Sequence, residues 1–248
     1  MKAIRSGFTV FSISGVKFKL ASFLTFFLFC QMLSAQNTVY QRKHLEFYDD
    51  KTVHYGFFFG LPNTRFNIKH SSDIASGSDS ISHATSPTTQ GFQMGFMMNV
   101  YLSPRFDFRF SPLTVSIYTR RVDYAFQNGG TQRQSRESTW VEFPFMLKYK
   151  SIRRGNTRMY AVGGFKAGFE ANLRKGSTRD VDRLNTKAAD FSVEYGVGLE
   201  RFFEFFKFTP ELRFSHGIVN MIGNNNTSYT RSIKKLTSHT VTLYLMFE

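Results

Sequence analysis

Apolar and polar residues alternate with period two along much of this chain. The clearest run is Ser138–Ser151. Thr139, Val141, Phe143, Phe145, Leu147 and Tyr149 fall on one face, and Trp140, Glu142, Pro144, Met146, Lys148 and Lys150 on the other. This period marks a β-strand with two unlike faces. Strands of soluble proteins usually end after about 5–6 residues, whereas a strand crossing a bilayer needs about 9–11. A long uncharged face, aromatic near both ends, predicts a wall of a transmembrane β-barrel.

Seven further segments alternate in the same way: 53–61 (continuing irregularly toward Phe66), 92–102, 106–117, 158–171, 190–201, 206–215 and 237–247. In the third, Ser111-Pro112 shifts the apolar phase from Phe106, Phe108 and Phe110 to Leu113, Val115 and Ile117. Proline lacks a ladder donor, so a β-bulge is expected there. Pro144 poses the same problem in mid-strand and needs a bulge or a water. Short turns are expected at 103–105, 151–157 and 202–205. Longer polar loops are expected at 70–90, 120–137, 172–189 and 217–236; the start of the second, through Phe126, can still be extended. The expected fold is all-β: an eight-stranded antiparallel up-and-down transmembrane β-barrel with short periplasmic turns and longer extracellular loops. A soluble barrel of lipocalin type would alternate too, with its apolar face inside.

Composition and the first residues favour the membrane. Aromatic content is 17%, with 30 Phe and 11 Tyr, which suits a lipid-facing surface with interfacial girdles. Residues 1–35 read as a cleaved signal peptide. Lys2, Arg5, Lys17 and Lys19 form a basic region without acids, Leu20–Cys30 an apolar core, and Leu33-Ser34-Ala35 a small-residue cleavage site. That core is too short for an anchor helix, and Phe29 is too bulky for a lipidation signal at Cys30. Residues 36–51 are then a periplasmic lead-in, and 52–248 the barrel of an integral outer-membrane protein. Removing the four signal bases lowers the formal net charge from +14 to +10. It also removes Cys30, the one cysteine, and with it disulfides, thiolate metal sites and cysteine nucleophiles.

If the apolar faces meet lipid, the opposite faces fill the lumen. Asp107, Arg109, Glu142, Lys148, Lys166, Glu170, Glu194, Glu200, Glu211 and Arg213 are expected there as a charge network. Buried ions must pair, or each costs several kcal/mol. Eight strands leave a bore just wide enough for side chains, so a polar plug is expected rather than a solute or proton path. Glycines 56, 60, 95, 164, 168, 196 and 198 share the inward face and make room for large neighbours.

Catalytic signals are absent from the spacing. His44, His54, His70, His83, His216 and His239 are scattered, with no HExxH. There is no GxSxG, and Gly196-Val197-Gly198 lacks the third glycine of a dinucleotide fingerprint. No catalytic residue, metal ligand or cofactor is expected. Basic residues Arg120, Arg121, Arg133, Arg136, Arg174, Lys175, Arg179, Arg183, Lys187, Arg231, Lys234 and Lys235 fall in or beside the expected outer loops. They suit lipid A phosphates, a docking partner or plain solvation. Nucleic acid is not an expected partner of an exported chain.

Several segments together resemble the PorT family of Bacteroidetes outer-membrane proteins. They are Lys43-His44, Tyr48-Asp49-Asp50-Lys51 and His54-Tyr55-Gly56; then Glu137-Ser138-Thr139, Glu142-Phe143-Pro144-Phe145 and Leu147-Lys148-Tyr149-Lys150-Ser151. Arg153, Asn156, Arg158, Tyr160, Glu194-Tyr195-Gly196-Val197-Gly198, Phe206-Lys207, Glu211, Ser215, Gly217 and Asn220 complete the set. The resemblance spans nearly all of the mature chain. It implies an eight-stranded barrel required for type IX secretion, which exports proteins with C-terminal sorting domains and is linked to gliding motility. It carries over no catalytic residues. So narrow a barrel cannot pass a folded protein, so the expected role is an accessory or assembly factor. The expected partners are outer-membrane lipid, lipopolysaccharide and other type IX components. The alternative is a small surface barrel that binds a ligand or lipopolysaccharide through its loops, or a narrow solute pore.

Overall fold

Ten β-strands account for most of the residues described in the computed structural model, which are 42–70, 81–126, 130–171, 187–222 and 233–248. The expected signal segment lies outside them. The strands are β1 Val53–His70, β2 Ile81–Thr85, β3 Thr89–Gln90, β4 Phe92–Ser103, β5 Phe106–Phe126, β6 Thr131–Lys150, β7 Thr157–Glu170, β8 Ala189–Phe202, β9 Lys207–Gly217 and β10 Ile233–Phe247. A short 3-10 helix, Glu46–Asp50, precedes them. No helix among the described residues is long and apolar enough to cross a membrane.

Eight strands form an up-and-down antiparallel ring in the order β1-β4-β5-β6-β7-β8-β9-β10. Pairing of β10 with β1, from Phe57↔Phe247 to Lys69↔Lys235, closes it. Closure pairs both edges of the sheet and leaves none open, which is what a membrane-spanning sheet requires. The small strands β2 and β3 pair with the upper parts of β5 and β1.

Strand parity sorts the side chains. Outward positions carry Tyr55 (73% exposed), Phe96 (62%) and Val197 (59%). Inward positions alternate with them and are buried almost throughout. Neighbouring outward rings touch across the strands: Phe145 stacks on Phe165 at 5.4 Å, and Phe165 on Phe191 at 5.7 Å. The apolar belt ends abruptly on β1. Leu61 is its last member, and Asn63, Arg65, Asn67 and Lys69 continue the same outward face.

The long-connection end differs from expectation. Of segment 120–137, expected as a loop, the described residues form a β-ribbon: β5 runs to Phe126 and β6 begins at Thr131, paired from Tyr118↔Ser138 to Ala125↔Thr131. Likewise β10 begins at Ile233 inside the expected 217–236 loop, and β2 and β3 lie inside the expected 70–90 loop. Their outward faces are mostly polar, and their apolar residues Ala84, Val122, Tyr124, Ile233 and Leu236 turn inward into a buried cluster, so no lipid-facing apolar row marks them. Ladder hydrogen bonds hold them regardless of side-chain polarity. Arg120, expected at a loop edge, is instead buried. Its guanidinium lies over the rings of Tyr118 (4.6 Å), Phe66 (5.2 Å) and Trp140 (5.4 Å).

The expected bulge is present. Register shifts between Phe110 and Thr114, so Ser111, Pro112 and Leu113 face two residues of β6. The same bulge accommodates Pro144. Even-numbered backbone groups of β6 face β5, as when the Lys150 N–H donates to the Arg105 carbonyl at 2.7 Å. Odd-numbered ones face β7, as when the Ala171 N–H donates to the Thr139 carbonyl at 2.8 Å. The N–H that Pro144 lacks would therefore point at the bulge, where the ladder is already interrupted.

Candidate functional site

The inward face is layered along the barrel axis. At the long-connection end it is apolar: Phe66, Tyr118, Val122, Trp140, Met221 and Leu236 form one buried cluster. Below this the lumen is ionic and holds nine of the ten charges named from strand parity, while Glu170 lies level with Trp140; all ten are buried, between 0 and 7% exposed.

Glu142 heads the ionic chain. Its carboxylate accepts from Ser116 Oγ (2.7 Å), Gln93 Nε2 (2.9 Å) and Tyr118 OH (2.9 Å), and it pairs with Lys166 Nζ (3.0 Å). Lys166 also reaches Glu194 (3.1 Å), and Glu194 meets Arg213 (3.2 Å). Arg213 Nε donates to Glu211 (2.7 Å). Glu211 also accepts from Arg109 (2.6 Å) and from the Tyr160 hydroxyl (2.6 Å). Glu170 stands apart, near the top of the wall, held by Arg136 (2.8 Å).

A second knot lies nearer the short-turn end. Glu200 is fully buried and binds three cations: Lys148, Arg158 (2.5 Å) and Lys207 (3.1 Å). Asp107 pairs with Lys150 (2.6 Å) and Lys148 (3.6 Å). Lys207 continues to Glu248 (2.7 Å). The ten residues read from sequence comprise six acids and four bases. Lys150, Arg158, Lys207 and Glu248 join them, which makes seven acids and seven bases; Arg120 is buried apart from these, in the apolar cluster above. Three of the four share the parity of neighbours already assigned inward, and that was the signal available in the sequence. Glu248 follows the last alternating residue, so no alternation marks it.

The lead-in closes this end. Tyr48, in the 3-10 helix, donates its hydroxyl to Glu248 and accepts from Lys207 Nζ at 2.7 Å. Its ring stacks on His54 at 3.8 Å. Asp49 takes two bonds from Arg158 Nη1, at 3.0 and 3.1 Å. Arg153 donates to the carbonyls of His44 and Leu45 while lying over the Phe202 ring at 3.8 Å. Burial works to raise the Glu248 carboxyl, but Lys207, Lys148 and Arg109 outweigh it and hold it down to about 2. Burial and the neighbouring Glu248 carboxylate push the Tyr48 phenol well above its usual range, so it stays a donor.

This arrangement locks charges rather than presenting them. From Glu142 to Glu248 the carboxylates are bound by cations that bridge one to the next, so among the described residues this network presents no nucleophile–base pair to an open cleft. No cluster of three or more His, Cys, Asp or Glu among the described residues is placed to hold a metal ion.

Residues 34–223 match the family described as "Outer membrane protein beta-barrel domain". Among solved structures, the chain is similar to Neisserial surface protein A, with 9% identity over 79% of this chain and 98% of that one, at a TM-score of 0.41. OprG from Pseudomonas aeruginosa matches with 8% identity over 78% and 91%, at a TM-score of 0.44. Ail of Yersinia pestis matches with 9% identity over 79% and 98%, at a TM-score of 0.34. No curated protein matches the chain in sequence.

Proposed function

The chain belongs to the outer membrane protein β-barrel domain family, and from that premise we propose that it is a non-conducting barrel that works by surface contact, as an accessory or assembly factor of type IX protein secretion. One observation carries the non-conducting part: the bore is filled by ion-paired side chains from Glu142 down to Glu248. A solute path would need these pairs to part, and breaking a buried pair costs about 3–5 kcal/mol. The narrow-pore alternative is correspondingly disfavoured. A catalytic role finds no support, since the charged groups have no free valence toward a substrate.

The secretion part rests on the ordered resemblance of segments 43–56, 137–160 and 194–220 to the PorT family. Two of these segments supply the seal at the short-turn end: His44, Tyr48 and Asp49 from the first, Arg153 and Arg158 from the second. In this reading residues 1–35 export the chain and are cleaved before Gln36. Short turns face the periplasm and the β5–β6 ribbon faces outward, as in other outer-membrane barrels. The contacts with larger secretion components are then made by the ribbon, the connecting loops or the sealed periplasmic face.

Deletion of the gene followed by analysis of surface and medium proteins tests the role. Loss of proteins bearing C-terminal sorting domains is the expected result; a normal secretome overturns it. Planar-bilayer recording of the purified chain tests the closed bore independently, and steady single-channel conductance would overturn that part.

A further inference from the structure

Above the apolar belt, the β1–β10 seam presents cations that no carboxylate balances among the described residues. Lys69 and Lys235 are directly opposite each other across the seam, and Arg65 is opposite His239. Like charges placed directly opposite destabilise a strand pair unless something neutralises them. Among the described residues no carboxylate lies within ion-pair distance of Arg65, Lys69 or Lys235. The ionic knots of the lumen pair their acids with bases, whereas these outward cations have no described acid beside them.

The neighbouring polar groups extend the patch. His239 and His216 are opposed across β9 and β10, with their Nδ1 atoms 3.0 Å apart. Tyr195 OH lies 3.0 Å from His216 Nε2. Asn67 sits outward between Arg65 and Lys69. Immediately below lie Leu61, Val241, Leu243 and Phe214, which are outward members of the apolar belt.

We propose that this seam is a binding site for a phosphorylated glycolipid of the outer leaflet. Its acyl chains lie along the belt below, and its phosphates rest on Arg65, Lys69 and Lys235. Position selects a lipid over a soluble anion, because the cations face the bilayer side of the wall and continue directly from its apolar surface. Spacing selects a headgroup with more than one phosphate: Arg65 and Lys69 are four residues apart on one strand, about 13 Å. Arg and Lys bind phosphate through charge-assisted hydrogen bonds, and Asn67 adds a neutral donor. The site does not depend on a role in secretion.

The experiment measures binding of the full-length purified chain, in neutral detergent, to three probes. These are bis-phosphorylated lipid A, the same lipid stripped of its phosphates, and inorganic pyrophosphate. The expected result is preferential binding of the phosphorylated lipid. The triple variant Arg65→Gln, Lys69→Gln, Lys235→Gln weakens it by roughly 10–100-fold, given about one charge's worth of attraction lost at each position. Arg201→Gln, an exposed arginine at the opposite rim, leaves binding unchanged. All three side chains point away from the lumen, so heat-modifiable gel migration confirms that the variants fold. Three outcomes overturn the proposal: equal binding by wild type and triple variant, equal binding of the dephosphorylated lipid, or an equal loss on Arg201→Gln. Pyrophosphate binding as tight as the lipid's also overturns it, by assigning the patch to soluble anions.

Discussion

The Tyr160 hydroxyl reaches Glu211 at 2.6 Å by passing over Gly198. Tyr160 on β7 is paired with Gly198 on β8, and Gly198 in turn with Glu211 on β9, so the bond spans a whole strand. A Cβ on Gly198 would stand 2.3 Å from the Tyr160 ring and hydroxyl. Gly198→Ala should therefore displace Tyr160, leave Glu211 one donor short and destabilise the barrel by about 1–3 kcal/mol. Gly163 is the control: a Cβ there meets nothing within 4 Å, and Gly163→Ala should be near neutral. Urea midpoints in detergent compare the two. Equal midpoints for both variants would show that the crossing does not matter.

Glu200 binds three cations in a fully buried setting. Glu200→Gln leaves Lys148 and Lys207 short of a counter-ion inside the wall, and should cost about 3–5 kcal/mol or abolish folding. Arg133→Gln removes an ion pair whose arginine is 67% exposed, and such pairs are worth at most about 1 kcal/mol. The contrast is read from unfolding midpoints, or from the fraction migrating as folded barrel.

Acid should destabilise the barrel through Glu248. Its carboxyl is held down to about 2 by Lys207, Lys148 and Arg109, all of them barrel residues. Unfolding parts it from them and returns it to the ordinary glutamate value of about 4.3. A depressed acid stabilises the folded state fully above the ordinary value, and the contribution disappears as pH falls from there toward 2. Urea midpoints in detergent should fall across that window, and Glu248→Gln should lower the midpoint at neutral pH and flatten the fall. A variant with the wild-type pH profile would remove Glu248 as the titrating group.

Removal of the lead-in should not open a pore. The clasp of Tyr48 and Asp49 covers the short-turn rim, but the bore above it is filled independently by Glu200, Lys148, Arg109, Glu211 and Arg213. Deleting residues 43–51 should leave planar-bilayer conductance at baseline. A conducting deletion would assign the closure to the lid rather than to the packing.

Much of the wall is legible in the sequence, for specific reasons. Val141, Phe143, Phe145 and Leu147 alternate with Glu142, Pro144, Met146 and Lys148, and in a pleated strand that alternation is geometry. Phe110-Ser111-Pro112-Leu113 breaks the phase, and a phase break with a missing donor can only be a bulge or a strand end. The β5–β6 ribbon is only half legible: Val122 and Tyr124 alternate with Arg121 and Asp123 on the β5 side, but Thr131–Glu137 on the β6 side has no apolar residue to show a period. Arg120 was misplaced with it: a basic residue in a polar segment gave no hint of the three rings that cover its guanidinium.

Sequence alone determined the period, the phase of each strand and the count of eight, because these depend on neighbours two residues apart. The tertiary structure decided what lies between strands that are not neighbours. Tyr160 meets Glu211 across β8, Arg109 of β5 meets Glu211 of β9, and Lys148 of β6 meets Glu200 of β8. Such pairs depend on the stagger and curvature that closure imposes. Closure also decided where the strands stop: β10 can pair with β1 as far as Ile233 because both backbones are present, whatever their side chains. A one-dimensional pattern records which face a residue takes, and only the closed ring brings the opposite faces together.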